Sequence, residues 1–380
     1  MKILQVTNVL SPVHGGSADV AYRLSKELAK RGHEVTIYTS DHELGQEYIS
    51  SIPAVRVHAA RTWLSSANLF VAPGIMKKAK EETRHFDIIH MHGYRTFQNI
   101  VVAHYARQYN IPYVLQAHGS LTTFFHHGWL KRTFDALGGY RILRDASKVI
   151  AVAGIEVEHY KSMRIDENKI KIIPNGIDLS EFDNLPRKGI FKRKYGLDDK
   201  QRIILYLGRI HQIKGLDLLA KAYADIARSS KDTKLVISGP DTGYLSHLKR
   251  LVADLGISDR VLFTGPLYGQ EKLQAYVDAD VYTLPSSYEI FGITILEALA
   301  CGTPVVVTDR CGIADIINRQ AGLVVPYDTD RLRHALLQML SDDKMRRQFG
   351  QSGKLLVREQ FNWEKIAEQF EHVYETYYRR

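Results

Sequence analysis

The chain has 380 residues, 45% of them hydrophobic and 24% charged, with a formal net charge of +9 and only two cysteines, Cys301 and Cys311. That length suggests two domains, and the composition is ordinary for a soluble globular enzyme. No apolar run approaches the roughly 18 residues that span a bilayer, and the opening MKILQVTNVL lacks a cleavage-site pattern and is expected to be a first core strand.

Short β-rich runs alternate with helical stretches, the pattern of parallel α/β layers. Strands are expected at 2–7, 34–39, 87–91, 113–116 and 148–152, each a compact apolar run suited to a sheet covered on both faces. Between the first two, Val20, Leu24 and Leu28 recur every four residues and predict a helix over 17–31, stopped by Gly32. A second series is expected at 202–207, 234–238, 261–264, 281–284 and 304–308. The join falls within 173–193, which holds Pro174, Gly176, Pro186 and Gly189. The expected organisation is a Rossmann-like domain over 1–175, a second over 176–362, and a last aromatic-rich helix over 363–380 folding back onto the first. Open parallel sheets bind ligands beyond the carboxyl ends of their strands, so two facing sheets would make one deep cleft with the chemistry on loops that follow strands.

The most informative segment is PSSYEIFGITILEALACGTP, 285–304. It reads as a strand end, a loop and a helix opening near Gly292, with Ile293, Leu296 and Ala300 as its apolar stripe. Glu289 precedes the helix and Glu297 lies within it. A helix N-terminus offers free amides and a partial positive charge, a site for phosphate, and Gly292 removes a side chain that would block it. The carboxylates can accept hydrogen bonds from sugar or ribose hydroxyls. Two solvated surface glutamates are the bland alternative. Arg209 and Lys214 follow the first strand of the second domain, where a guanidinium and an ammonium can pair with phosphate oxygens. Gly15 and Gly16 follow the first strand of the first domain and permit close backbone approach, without a G-x-G-x-x-G pattern that would point to a nicotinamide cofactor.

These segments resemble the retaining family-4 glycosyltransferases of the GT-B fold. Glu289-x7-Glu297 resembles the family's paired acids, YLGRIHQIKG (206–215) its phosphate-binding arginine and lysine, IPNGID (173–178) its interdomain segment, and the stretch 12–35 its glycine-rich opening loop. The resemblance runs in order along essentially the whole chain. It implies a nucleotide diphosphate sugar donor: Glu297 on the ribose, Arg209 and Lys214 on the phosphates, backbone at Gly292, Ile293 and Thr294 on the distal phosphate, Glu289 on donor-sugar hydroxyls. It further implies that Gly16 and His118, in QAHGSL, contribute from the first domain, and that the configuration of the sugar is retained.

His92 and Arg95 are expected to line the acceptor side. His90 and His92 alternate onto one strand face but lack the further ligands of a metal site. No D-x-D-like pair is evident, so neither metal nor other cofactor is expected. Up to Lys171 there are 22 Lys/Arg against 15 Asp/Glu. This basic excess suggests an anionic partner for the first half, the alternative being a solvated basic face. Within it, Lys131, Arg132, Arg141, Arg144 and Lys148 interleave with Phe124, Phe125, Trp129, Phe134 and Tyr140, beside His126 and His127, a run that suits a membrane interface. The expected acceptor is a glycan or a lipid-linked species, and the expected place is the cytoplasm, with peripheral contact at the inner membrane face. Nucleic-acid binding lacks any recognised motif. A sucrose-synthase-like, phosphorylase or epimerase enzyme of the same fold, and a non-catalytic nucleotide-sugar-binding subunit, stand as alternatives.

Overall fold

The structure is a computed structural model and describes residues 1–11, 16–45, 49–66, 69–121 and 128–378. The chain divides into two compact units, one of Met1–Gly176 with Trp363–Arg380, the other of Ile177–Asn362.

In the first unit, β1 (Lys2–Val6), β2 (Glu34–Ser40), β3 (Val55–Ala60), β6 (Ile88–His92), β7 (Tyr113–Gln116), β8 (Lys148–Ala151) and β9 (Ile170–Ile172) form one parallel sheet in the order β3-β2-β1-β6-β7-β8-β9. A small hairpin of β4 (Leu64–Ser66) and β5 (Leu69–Val71) stands apart from it. In the second unit, β10 (Arg202–Leu207), β11 (Thr233–Ser238), β12 (Val261–Gly265), β13 (Val281–Leu284), β14 (Val305–Thr308) and β15 (Gly322–Val325) form a parallel sheet in the order β12-β11-β10-β13-β14-β15. Both orders reverse direction beside the unit's first strand, the doubly wound arrangement. Strands β3, β9 and β15 were not expected from the sequence, and all three are sheet edges. In β3 and β9, VRVHAA and IKI, charged or polar residues interrupt the apolar run that marks a strand covered on both faces, whereas β15, GLVV, keeps such a run.

Each face of the first sheet has its own core. Leu4, Val6, Ile89, Met91 and Leu115 pack beneath the helices Gly74–Glu82 and Phe97–Gln108. On the other face Ile3, Val35, Ile88, Val114 and Ile150 meet Val20, Leu24 and Leu28 of the helix Gly16–Lys30. The same face receives Trp363, Ile366, Phe370 and Tyr374 of the C-terminal helix Trp363–Tyr377. The period-2 alternation of strands explains this sorting.

Toward the carboxyl ends of the strands this second face turns polar while staying buried. Gln5 lies in register with His90, and His92 with Gln116. All four are at most 1% exposed. His90 stacks on His92 with ring centroids 4.1 Å apart, and His92 stacks on His118 at 5.3 Å. Burial holds His90 and His92 well below the ordinary imidazole value of 6.5 and lowers His118 to about 3. All three are therefore neutral in the fold. Burial also pushes the Glu156 carboxyl up to about 7.

These shifts oppose one another on acidification. Below its ordinary value each histidine is protonated in the unfolded chain but not in the fold, so its contribution to stability is lost as pH falls. Glu156 acts the other way, because the fold holds its proton between the ordinary carboxylate range and neutrality. Three protons outweigh one, so the layer's net contribution falls by roughly 1–3 kcal/mol per pH unit from pH 6.5 toward pH 5. The expected outcome is a urea midpoint clearly lower at pH 5 than at pH 7, with a smaller drop in His90→Phe. Equal midpoints at the two pH values would contradict a neutral, buried histidine layer.

Candidate functional site

The predicted donor residues gather on the loops after β10 and β13. After β10 the chain passes Gly208 and Arg209 and makes a short 3-10 turn, Gln212–Lys214, whose cap is Gly215 in the left-handed region (φ 68°). A Cβ on Gly215 would stand 1.9 Å from the carbonyl oxygen of Pro285, so only glycine lets the two loops come this close. The Pro285–Glu289 segment is held from both sides. The Ile213 carbonyl accepts from Ser287 N at 2.9 Å and from its hydroxyl at 3.1 Å. On the other side Glu289 N donates to Arg310 O at 3.1 Å, and the Glu289 carbonyl accepts from Gly312 N at 2.9 Å.

This close approach presses the Lys214 ammonium against the Glu289 carboxylate as a direct ion pair, with both side chains largely buried. The sequence assigned these residues to separate ligand groups, phosphate and sugar. The structure brings them together, so a ligand at one meets the other. Gly292 follows at φ 82° and caps the helix Ile293–Ala300. A Cβ there would come within 2.9 Å of Ile295 Cδ1 and 3.4 Å of Glu289 Cγ, so a side chain would press on these neighbours and strain the left-handed backbone. Ile293 and Thr294 open the helix, where amides have no intrahelical partner. The Thr294 hydroxyl accepts from Tyr282 at 2.6 Å.

Glu297 does not touch Glu289. Its carboxylate is held by Lys272 Nζ at 2.7 Å and by the buried Tyr276 hydroxyl at 2.9 Å, two residues that sequence reasoning missed. A carboxylate has about four acceptor positions, so this pair fixes its plane and leaves others for hydroxyls. The helix is buried almost all round from Ile295 on, wider than the expected stripe, with Ile293 itself only partly covered. Arg209 is exposed on the same rim. The Tyr206 hydroxyl donates to its carbonyl at 2.7 Å, and its guanidinium makes no ion pair among the described residues. Cys301 and Cys311 are free and buried, and burial raises both thiols to about 12.

In the first unit His118 sits just past β7 in the left-handed region (φ 52°), followed by Gly119 at φ 78°. A non-glycine residue there is strained by about 1–3 kcal/mol and persists only where neighbours over-determine it. They do so here. Ala117 N donates to Tyr160 Oη at 3.0 Å and Gly119 N to Glu156 Oε1 at 2.6 Å. The Ser120 and Leu121 carbonyls both accept from Arg95. Nε2 of His118 faces Nδ1 of His92 at 3.0 Å.

Two expectations for this unit need correction. Neither His92 nor Arg95 offers a surface to an acceptor. His92 is fully buried with both ring nitrogens engaged. Arg95 spends its donors on Asp135, at 2.7 and 3.0 Å, and on the two loop carbonyls. Both residues support the His118 loop instead. Gly16 opens the helix Gly16–Lys30, while Gly15, Phe124, Phe125, His126 and His127 lie outside the described residues, as does the side chain of Trp129. In the basic run, Arg132, Arg141 and Arg144 are exposed, Arg141 and Arg144 flank Asp145, and Phe134 packs edge-on against Tyr94. Among the described residues no cluster of three or more His, Cys, Asp or Glu could hold a metal, and no helix is long and apolar enough to cross a membrane.

Comparison with known proteins agrees along the whole chain. Residues 14–181 match the model of Glycosyltransferase Family 4, and residues 188–356 that of Glycosyl transferases group 1. An uncharacterized glycosyltransferase from Methanocaldococcus jannaschii is 32% identical, with 98% of each chain covered. The N-acetyl-alpha-D-glucosaminyl L-malate synthase of Bacillus anthracis is 28% identical over 96% of this chain and 94% of that one. Among solved structures, HepE of Anabaena in complex with UDP superposes with a TM-score of 0.81 at 18% identity, covering 99% of this chain and 100% of that one. A chain matched by these models over 14–181 and 188–356 and by this relative over 98% of its length, and folded as two Rossmann-like halves, belongs to the family-4 glycosyltransferases of the GT-B fold, and it is a glycosyltransferase.

Proposed function

We propose that this glycosyltransferase takes its sugar from a nucleoside diphosphate donor bound at the second unit's rim and transfers it, with retention of configuration, to a hydroxyl of a glycan or lipid-linked acceptor. The observation that carries this reading is the Lys214–Glu289 ion pair beside the open turn at Gly292. A cation, a carboxylate and first-turn amides lie within one loop cluster, the chemistry that a sugar diphosphate presents. UDP in the complex of the similar HepE supports the same donor class.

In this scheme Lys214, Arg209 and the amides of Gly292, Ile293 and Thr294 bind the diphosphate, Glu289 accepts from sugar hydroxyls, and Glu297, held by Lys272 and Tyr276, accepts from the ribose. The bond between the anomeric carbon and the diphosphate oxygen breaks, and the electron pair leaves with the diphosphate. The acceptor hydroxyl bonds to that carbon on the same face and gives its proton to the departing oxygen. Charge grows on the leaving group, so cations aimed at it stabilise the transition state more than the ground state. That function, filled by Lys214 and Arg209, is the ground for proposing that no metal is required. His118 is proposed to meet the sugar from the first unit.

The test is a panel of UDP-, GDP- and ADP-sugars assayed for slow hydrolysis without acceptor. One donor class should be turned over, at an unchanged order of rate in EDTA. Arg209→Ala and Lys214→Ala should each lower kcat by about a hundred- to a thousandfold, with smaller effects on KM. Turnover within about threefold of the parent in both variants, or activity abolished by EDTA and restored by Mg²⁺, would contradict the assignment.

Peripheral attachment of the first unit to an anionic membrane at the cytoplasmic face is the companion proposal, supported by the exposed Arg132, Arg141 and Arg144. Each such charge contributes about 1 kcal/mol near an anionic surface, screened over about 10 Å at 0.1 M salt. Sedimentation with anionic but not neutral vesicles, weakened by salt and by replacing these arginines with Gln, is expected. Equal partitioning onto both vesicle types would reject it.

A further inference from the structure

The polar layer beneath the first unit's sheet forms a continuous hydrogen-bonded chain that ends at His118. Its links are His118 Nε2 to His92 Nδ1 at 3.0 Å, His92 Nε2 to Gln5 Oε1 at 2.7 Å, Gln5 Nε2 to Tyr374 Oη at 3.5 Å, and Tyr374 Oη to His90 Nδ1 at 2.7 Å. The first four members come from three loops and strands of the sheet and from the C-terminal helix, so the chain joins residues 369 positions apart.

Donor and acceptor chemistry gives this chain a direction. With the Gln5 amide in this orientation, Oε1 is a carbonyl oxygen that can only accept, so His92 carries its proton on Nε2. A neutral imidazole has one proton, so His92 Nδ1 is a lone pair and His118 Nε2 must donate to it. His118 is then left with a bare Nδ1, which has no hydrogen-bond partner among the described residues, on a side chain that is only partly buried. At the other end Gln5 Nε2 donates to the Tyr374 hydroxyl, which can then give its own proton to His90 Nδ1.

We propose that Tyr374, Gln5 and His92 are positioning residues that hold His118 in one tautomer, with the proton on Nε2 and a lone pair on Nδ1, so that a sugar hydroxyl arriving at His118 meets an acceptor. The proposal rests on the reading above that His118 meets the sugar. The C-terminal helix thereby acts on the site without touching the ligand. Nothing in the sequence around Tyr374 marks it for this role, because its partners are set by the helix's return to the first sheet.

The experiment is long-range ¹H–¹⁵N correlation spectroscopy on the full chain labelled with ¹⁵N-histidine, in the parent and in Tyr374→Phe, Gln5→Leu and Gln5→Glu, alongside donor-hydrolysis kinetics. The parent should show His118 and His92 protonated on Nε2. Tyr374→Phe and Gln5→Leu should convert His118 to a mixture of tautomers and lower kcat/KM by about three- to tenfold, the range of one lost hydrogen bond. Gln5→Glu, whose carboxylate can only accept from His92, should keep the parent tautomer, a rescue that loss of packing would not show. A parent His118 protonated on Nδ1, or a tautomer unchanged in both Tyr374→Phe and Gln5→Leu when their thermal midpoints stay near the parent's, overturns the proposal. Tautomers that respond while hydrolysis stays at the parent rate in these variants and in His118→Ala would instead remove His118 from the sugar, and the functional claim would fall for that reason alone.

Discussion

The contact of Gly215 with the Pro285 carbonyl is the constraint on which the candidate donor site depends. With no Cβ, the turn after β10 can lie against the loop after β13, and that proximity makes an ion pair of Lys214 and Glu289. Two charges taken largely out of water offset their desolvation only if each stays paired, so the arrangement gains little as a source of stability. Its value is positional. It holds a cation and a carboxylate side by side at the opening of a helix before any ligand arrives, so little reorganisation is left for the reaction itself. Glu297 is set by the same logic from the other direction, with Lys272 and Tyr276 fixing its plane.

The first unit solves a different problem. A residue in the left-handed region is held there by Tyr160, Glu156 and Arg95, and its imidazole ends a buried row of neutral polar groups. That row is tolerable in the core because neighbours satisfy most of its polar atoms. Some atoms in the layer have no partner among the described residues, including both amide atoms of Gln116 and Nε2 of His90. Buried polar atoms of this kind are where ordered water is expected in a folded protein.

Much of this was legible in the residues. The central strands carry continuous apolar runs, and the motif from Pro285 to Pro304 announces a strand, a glycine-opened helix and two placed acids. The edges β3 and β9 were not legible, because Arg56, His58 and Lys171 break the apolar signal that marks the others, while β15 was missed although GLVV carries that signal. Nor was the pairing of Lys214 with Glu289, since it depends on a backbone approach 70 residues apart in sequence; only the glycine in IKG hinted at it. His92 and Arg95 were expected to line the acceptor side. Here the sheet buries one, and Asp135, distant in sequence, captures the other.

The central claim, that the rim around Lys214 and Glu289 recognises a diphosphate carried by a nucleoside, is tested most directly by calorimetric titration of the whole chain with UDP, GDP and ADP, each beside its monophosphate and its nucleoside. The account predicts that one diphosphate binds at a single site, that its monophosphate binds at least tenfold more weakly, and that Lys214→Ala removes most of that difference. A nucleoside or monophosphate bound as tightly as its diphosphate, or a diphosphate affinity indifferent to Lys214, would contradict it.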